Sequence, residues 1–185
     1  MFSHAKYSAP NTQMQGNSDA WTRLASRAMR VVMARKDSSY ASLAAELLRL
    51  GVHESARSVE GKIQRGSFRF SFFLQSLVAV GAEYPEQWSS ALAQESTWEA
   101  RSTAVFRAEL TLQPWIDWLE LSHRLGLIGV GLSAESLETQ VQDGTPSAAL
   151  FFQCATVCRF DGLERFLDRA DLTDAAYRAR PEVRP

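Results

Sequence analysis

The sequence predicts an all-α protein built from two tandem copies of one four- or five-helix unit. Three observations lead there. Apolar residues recur at three- and four-residue spacing through most of the 185-residue chain, which is the period of a helix face and not of a strand. Glycines punctuate the segments at helix-stop positions, with Gly51 and Gly66 in the first half and Gly129 and Gly144 in the second. Finally, "SVEGKIQRGSFRFSFFLQSLVAVG" at 58–81 returns at 136–159 as "SLETQVQDGTPSAALFFQCATVCR". Ser58, Glu60, Gln64, Gly66, Phe73 and Gln75 match Ser136, Glu138, Gln142, Gly144, Phe151 and Gln153. Two repeats of this length are a duplicated domain, whereas a solenoid needs more and shorter units.

Each element follows from local pattern. Residues 1–19 are polar, with Pro10 and Gly16, and are expected to form a mobile arm. The first helix is expected after Ser18 or Asp19 as N-cap, with Trp21, Leu24, Ala25, Ala28 and Val32 on one face. "KDSS" breaks it. A second helix runs from about Tyr40, carries Leu43, Ala44 and Leu47, and stops at Gly51. After the short turn "VHES", a third helix from about Ser55 to Arg65 carries Val59 and Ile63 and stops at Gly66. A fourth, from about Ser71, carries Phe72, Phe73, Leu77 and Val80 and stops at Gly81. These make a first domain over 20–82, and 83–97 reads as a linker.

The same grammar returns over 98–172. Trp98, Thr103, Phe106 and Leu110 open the second copy, and Pro114 ends that helix because it cannot continue the hydrogen-bond ladder. Trp118, Leu121, Leu125 and Gly129 take the places of Tyr40, Leu43, Leu47 and Gly51; Ser136, Val141 and Gly144 mark the next helix, and Leu150, Phe151 and Phe152 the one after. "DGLERFLDRADL" is expected as one last helix, and 173–185 as a frayed tail or a docking strap. Trp21, Phe72, Phe73, Trp98 and Phe151 fall at core spacing, while Trp88 and Trp115 are the aromatic residues expected at a surface.

Composition excludes several function classes. With 45% hydrophobic and 22% charged residues the chain is ordinary for a globular protein. No apolar run approaches the roughly 18–20 residues of a membrane span, and the N-terminal stretch lacks a leader's apolar core, so a cytoplasmic protein without a membrane partner is expected. Cys154 and Cys158, four apart, stack on one helix face and read as buried core thiols. His4, His53 and His123 are scattered without ligand spacing, so no metal or other cofactor is expected. There is no Gly-rich phosphate loop, no HExxH and no G-x-S-x-G, and Asp117 and Glu120 sit on a solvated helix face; no enzyme activity is expected.

The formal net charge of −1 conceals an asymmetry. From Trp21 to Gly81 ten basic residues face four acids; from Trp98 to Arg159 four basic residues face seven acids. Helix two, a turn and helix three have the order of a helix-turn-helix, whose second helix enters the DNA major groove. Ser55, Arg57, Ser58 and Lys62 are the candidates for base contact, with Arg57 suited to a guanine edge. Lys36, Arg65 and Arg69 are the candidates for phosphate contact, which positions without reading sequence. In the second copy Lys62, Arg65 and Arg69 become Gln140, Asp143 and Ser147, so that copy keeps core letters and loses groove letters.

"YASLAAELLRLG" and "ARSVEGKIQRG" resemble the second and recognition helices of the phage-repressor (Cro/C1-like) class. More closely, residues 21–81 resemble a small proteobacterial family of unknown function. The resemblance is carried by Trp21, Leu24, Ala25, Tyr40, Leu43, Ala44, Leu47, Gly51, Lys62, Arg65, Gly66, Phe68, Phe72, Phe73, Leu77, Ala79 and Gly81. Gly61 departs from it, standing where the family pattern has Asn. The phage-repressor resemblance implies a bacterial transcriptional regulator that binds double-stranded DNA; the closer family carries no established activity, and its members look like cargo of mobile genetic elements. The charge loss adds the expectation of a homodimer, or of a protein partner on the acidic second copy. The alternative is an adaptor that regulates transcription or element transfer through protein contacts alone.

Overall fold

The computed structural model describes residues 12–94 and 96–180, with side chains described from residue 19 onward. The described residues form ten α-helices, two 3-10 turns and no strand. The first copy holds α1 (Thr12–Arg35), α2 (Tyr40–Arg49), α3 (Ala56–Arg65) and α4 (Phe70–Ala79). A 3-10 turn (Glu86–Trp88) and the short α5 (Ser89–Ala93) follow. The second copy holds α6 (Trp98–Thr111), α7 (Trp118–Leu127), α8 (Ala134–Gln142) and α9 (Ala148–Cys158). A 3-10 turn (Leu163–Arg165) and α10 (Arg169–Arg178) close it.

Side-chain caps start the equivalent helices in both copies. Ser39 accepts from the Ser42 N–H at α2 and Asp117 from the Glu120 N–H at α7. Ser55 accepts from the Ser58 N–H at α3, and Ser133 from the Ser136 N–H at α8. Each cap satisfies a backbone donor that the helix itself leaves unpaired.

Within each copy the second helix packs on the third and fourth, and the first on the third. Other contacts cross between copies. α1 packs on α9 of the second copy, and its counterpart α6 packs on α4 of the first. α5 likewise sits on α6, and α10 on α1. Each copy therefore lays its first helix on the other copy's fourth.

An approximate twofold axis relates the halves, and residues on it meet their own counterparts. Arg69 forms an isolated antiparallel bridge with Ser147, the residue 78 positions on that matches it. The Phe70 N–H donates to the Pro146 carbonyl at 2.8 Å, and the Ala148 N–H to the Phe68 carbonyl at 2.9 Å. Trp88 stacks on its counterpart Phe166 with ring centroids 6.0 Å apart. Phe73 meets Phe166 at 5.2 Å, while the equivalent pair Phe151 and Trp88 meets at 5.6 Å. Phe70 stacks on Phe151 at 3.8 Å. The buried apolar residues of both halves form one continuous core.

Four expectations change. α1 begins at Thr12, inside the expected arm, because a nucleated helix propagates until something forbids it and residues 12–18 hold no proline. The rest of the arm, 1–11, lies outside the described residues. The stretch 83–97 is no simple linker, since Trp88 is fully buried. Its indole N–H donates to Glu109 at 2.5 Å, so a tryptophan expected at the surface sits at the centre of the protein. "DGLERFLDRADL" is no single helix, because Gly162 takes a left-handed φ of +79° and leaves a 3-10 turn whose Leu163 and Phe166 plug the core. The expected tail is helical through Arg178, tied to α1 where Arg27 pairs with Asp171 at 2.7 Å. Residues 181–185 lie outside the described residues. Among the described residues no helix is long and apolar enough to cross a membrane.

Candidate nucleic-acid interface

α3 buries Val59 and Ile63 and turns Arg57, Gln64 and Arg65 to solvent. Its start is held by Ser55, whose hydroxyl is occupied as the cap. Just before that cap, Glu54 gathers two of the expected base-contact residues. The Ser58 hydroxyl donates to the Glu54 carboxylate at 2.5 Å, and the Lys62 ammonium pairs with it while lying 5.1 Å from the Phe72 ring. Burial pushes the Glu54 carboxyl up. The hydrogen bonds from Lys62 and Ser58, with the Lys62 charge, outweigh that and hold it below the usual carboxylate range.

The structure thus separates the expected contacts into three groups. Ser58 and Lys62 are engaged inside the protein, and Ser55 caps its helix. Arg57, Arg65 and Arg69 are exposed, and none has a carboxylate partner among the described residues. The Arg65 guanidinium lies back along α3, so that a Cβ on Gly61 would come within 3.1 Å of it. That guanidinium is the tip of a flexible, exposed side chain that can give by a few tenths of an ångström, so nothing in the structure explains the glycine, which costs ~1 kcal/mol in mid-helix. Lys36 stands apart. The Thr22 carbonyl on α1 meets Gly66 at the end of α3, and Lys36, just past the end of α1, lies about 20 Å further along its axis at 1.5 Å per residue. It shares a small cleft with Glu83 and Arg165, away from the α3 terminus.

The approximate twofold places α8 where α3 stands in the other half. The exposed Arg57 and Arg65 there become Glu135 and Asp143, and Arg69 becomes Ser147. Glu54 becomes Leu132, so the second copy has no equivalent of the Glu54–Ser58–Lys62 cluster. The sequence held a signal for that cluster, since Glu54 sits immediately before the N-cap and four residues before Ser58, within one turn's reach. Elsewhere Cys154 and Cys158 are free and buried, and burial pushes the Cys158 thiol up to about 12. Among the described residues no cluster of three or more His, Cys, Asp or Glu is placed to hold a metal ion.

These features define the chain as an all-helical protein made by internal duplication, with the two copies packed as a pseudo-symmetric pair. It belongs to the family described as Domain of unknown function (DUF6471), which matches it twice, over residues 21–84 and 98–163. No curated protein and no solved structure matches it.

Proposed function

We propose that the protein is a DNA-binding transcriptional regulator in which α2 and α3 act as a helix-turn-helix of the phage-repressor type. The observation that carries this reading is the charge difference between two equivalent helices. α3 offers Arg57 and Arg65 to solvent, with Arg69 just beyond, and the same positions around α8 hold Glu135, Asp143 and Ser147. One half is suited to phosphate and the other is repelled by it. Arg57 is the candidate for base readout in the major groove, and Arg65 and Arg69 for the backbone. Ser58 and Lys62 reach DNA only if Glu54 releases them.

The adaptor reading is favoured by that same engagement of Lys62, which leaves fewer free cations on α3. Fluorescence anisotropy with mixed-sequence duplex DNA distinguishes the two. Phosphate contacts by Arg65 and Arg69 predict a log–log salt slope near −1.8, or roughly a 12-fold loss of affinity between about 50 and 200 mM salt. Arg57→Glu/Arg65→Glu is expected to abolish binding, and the absence of any salt-dependent binding by the wild type favours the adaptor.

A further inference from the structure

The second copy exposes apolar side chains at positions where the first copy exposes charge. Leu112, Trp115 and Leu127 are 58%, 68% and 57% exposed, and they replace Arg35, Asp37 and Arg49. The first copy proves that the shared fold needs no apolar residue at these places, so their cost in water calls for an occupant. All three line one cleft of about 1250 Å³, between the ends of α6 and α9 and the sides of α7 and α10. Tyr177, 70% exposed, stands on the α10 side. The cleft is larger than the roughly 300–1,000 Å³ of small-molecule sites and is bounded by helices, which suits a helix laid in a groove.

Charge selects the partner. Of the carboxylates in the cleft, Glu109 is buried and taken by the Trp88 and Gln87 donors, and the exposed Asp161 lies 3.3 Å from Arg169, an arginine it shares with Glu164. Arg124 is held by Glu120 at 2.6 Å. Arg159 is exposed at the end of α9 and Arg180, past α10, lies 5.5 Å from the Tyr177 ring; neither has a carboxylate partner among the described residues. An apolar floor with unneutralised arginines on its rim fits an apolar ridge flanked by acids.

We propose that this cleft is a docking groove for an acidic amphipathic helix of a partner protein. The proposal stands independently of DNA binding by α3. Its test is selection of a displayed library of short amphipathic helices against the full chain. Apolar anchors are fixed at i, i+4 and i+7, and the remaining positions are randomised among Glu, Lys, Gln and Ala. Acidic members are expected to enrich. A labelled winner should shift Trp115 fluorescence and bind Leu112→Arg/Leu127→Arg about tenfold or more weakly. Replacing its Glu residues with Lys should weaken it by a similar factor. The double variant borrows the first copy's residues and is expected to fold and to keep whatever DNA affinity the wild type has; Trp115→Asp serves if it does not fold. Enrichment of basic helices, or no enrichment beyond that on the variant, overturns the proposal. So does a wild-type dimer in sedimentation that the variant converts to monomer, since a second copy would then be the occupant.

Discussion

Substitution of Gly66 tests the packing of the duplicated unit at its tightest point. Gly66 ends α3 with φ +66°, and a Cβ there would lie 1.8 Å from the Thr22 carbonyl oxygen of α1. Gly144, its counterpart, would place one 2.2 Å from the Glu99 carbonyl oxygen of α6. Gly51 is an internal control, with φ +77° and nothing within 4 Å of a Cβ. The left-handed conformation alone costs a non-glycine residue about 1 kcal/mol, partly offset by the stiffer unfolded chain. Gly51→Ala should therefore cost no more than about 1 kcal/mol. Gly66→Ala must also push a backbone carbonyl back by about 1 Å, separating α1 from α3, and overpacking of this kind adds about 1–3 kcal/mol. Chemical denaturation of Gly51→Ala, Gly66→Ala and Gly144→Ala at equal m-value gives the difference directly. Gly66→Ala and Gly144→Ala are expected to lose about 2–3 kcal/mol more than Gly51→Ala. A difference below about 0.5 kcal/mol would refute the close approach of first and third helices in both copies.

Glu54→Gln is expected to loosen Lys62 and remove a negative charge beside α3, strengthening DNA binding and steepening the salt slope by about 0.9 as one phosphate contact is gained; an unchanged slope counts against a held-back lysine. Glu109 is buried, and burial raises its carboxyl above the usual 4.5, with the Trp88 and Gln87 hydrogen bonds opposing. The folded state thus keeps this proton to higher pH than the unfolded chain, so wild-type stability falls as pH rises from about the unfolded value through the raised one. Glu109→Gln should lack that component, gaining on wild type as pH rises through this window, as thermal melts across the window would reveal. Residues 1–97 and 98–185 expressed separately are each expected to lack cooperative unfolding, and to regain it when mixed, because α1 needs α9 and α6 needs α4; a cooperatively folding first fragment would contradict the exchanged packing.

Much of the fold was legible in sequence because the helices advertise themselves locally. Ser55, Val59, Ile63 and Gly66 state a start, a face and a stop within a dozen residues, and α3 occupies that span. The duplication was equally readable, because the matched glycines and aromatics fill the same structural roles in both halves. What local pattern lacks is the partner of each face. Trp21, Leu24 and Ala28 announce a buried stripe on α1, yet nothing in their spacing says that it packs against α9, over a hundred residues away. Trp88 reads as a surface residue for the same reason, its neighbours being polar and its ring partner Phe166 distant in sequence. At the candidate site the helix and its exposed arginines were foreseeable. The capture of Ser58 and Lys62 was not, because charge counting treats Glu54 as one acid among several and not as the neighbour of two particular side chains.

The exchanged packing also explains how the copies were free to diverge. In a symmetric homodimer every surface residue occurs twice, so a helix cannot be basic on one side of the axis and acidic on the other. Joining the two units in one chain lifts that constraint while keeping the interface that holds them. The axis residues remain aromatic or backbone-paired, as Trp88 with Phe166 and Arg69 with Ser147 demonstrate. Away from the axis the substitutions run in opposite senses. α3 keeps Arg57 and Arg65 where α8 has acids, and the second copy gains Leu112, Trp115 and Leu127 where the first has Arg35, Asp37 and Arg49. Random loss of function in one copy would erode charge without building a connected apolar cleft. On the proposed reading the two halves serve different tasks on one shared core, and a change that unfolds either half is expected to abolish both.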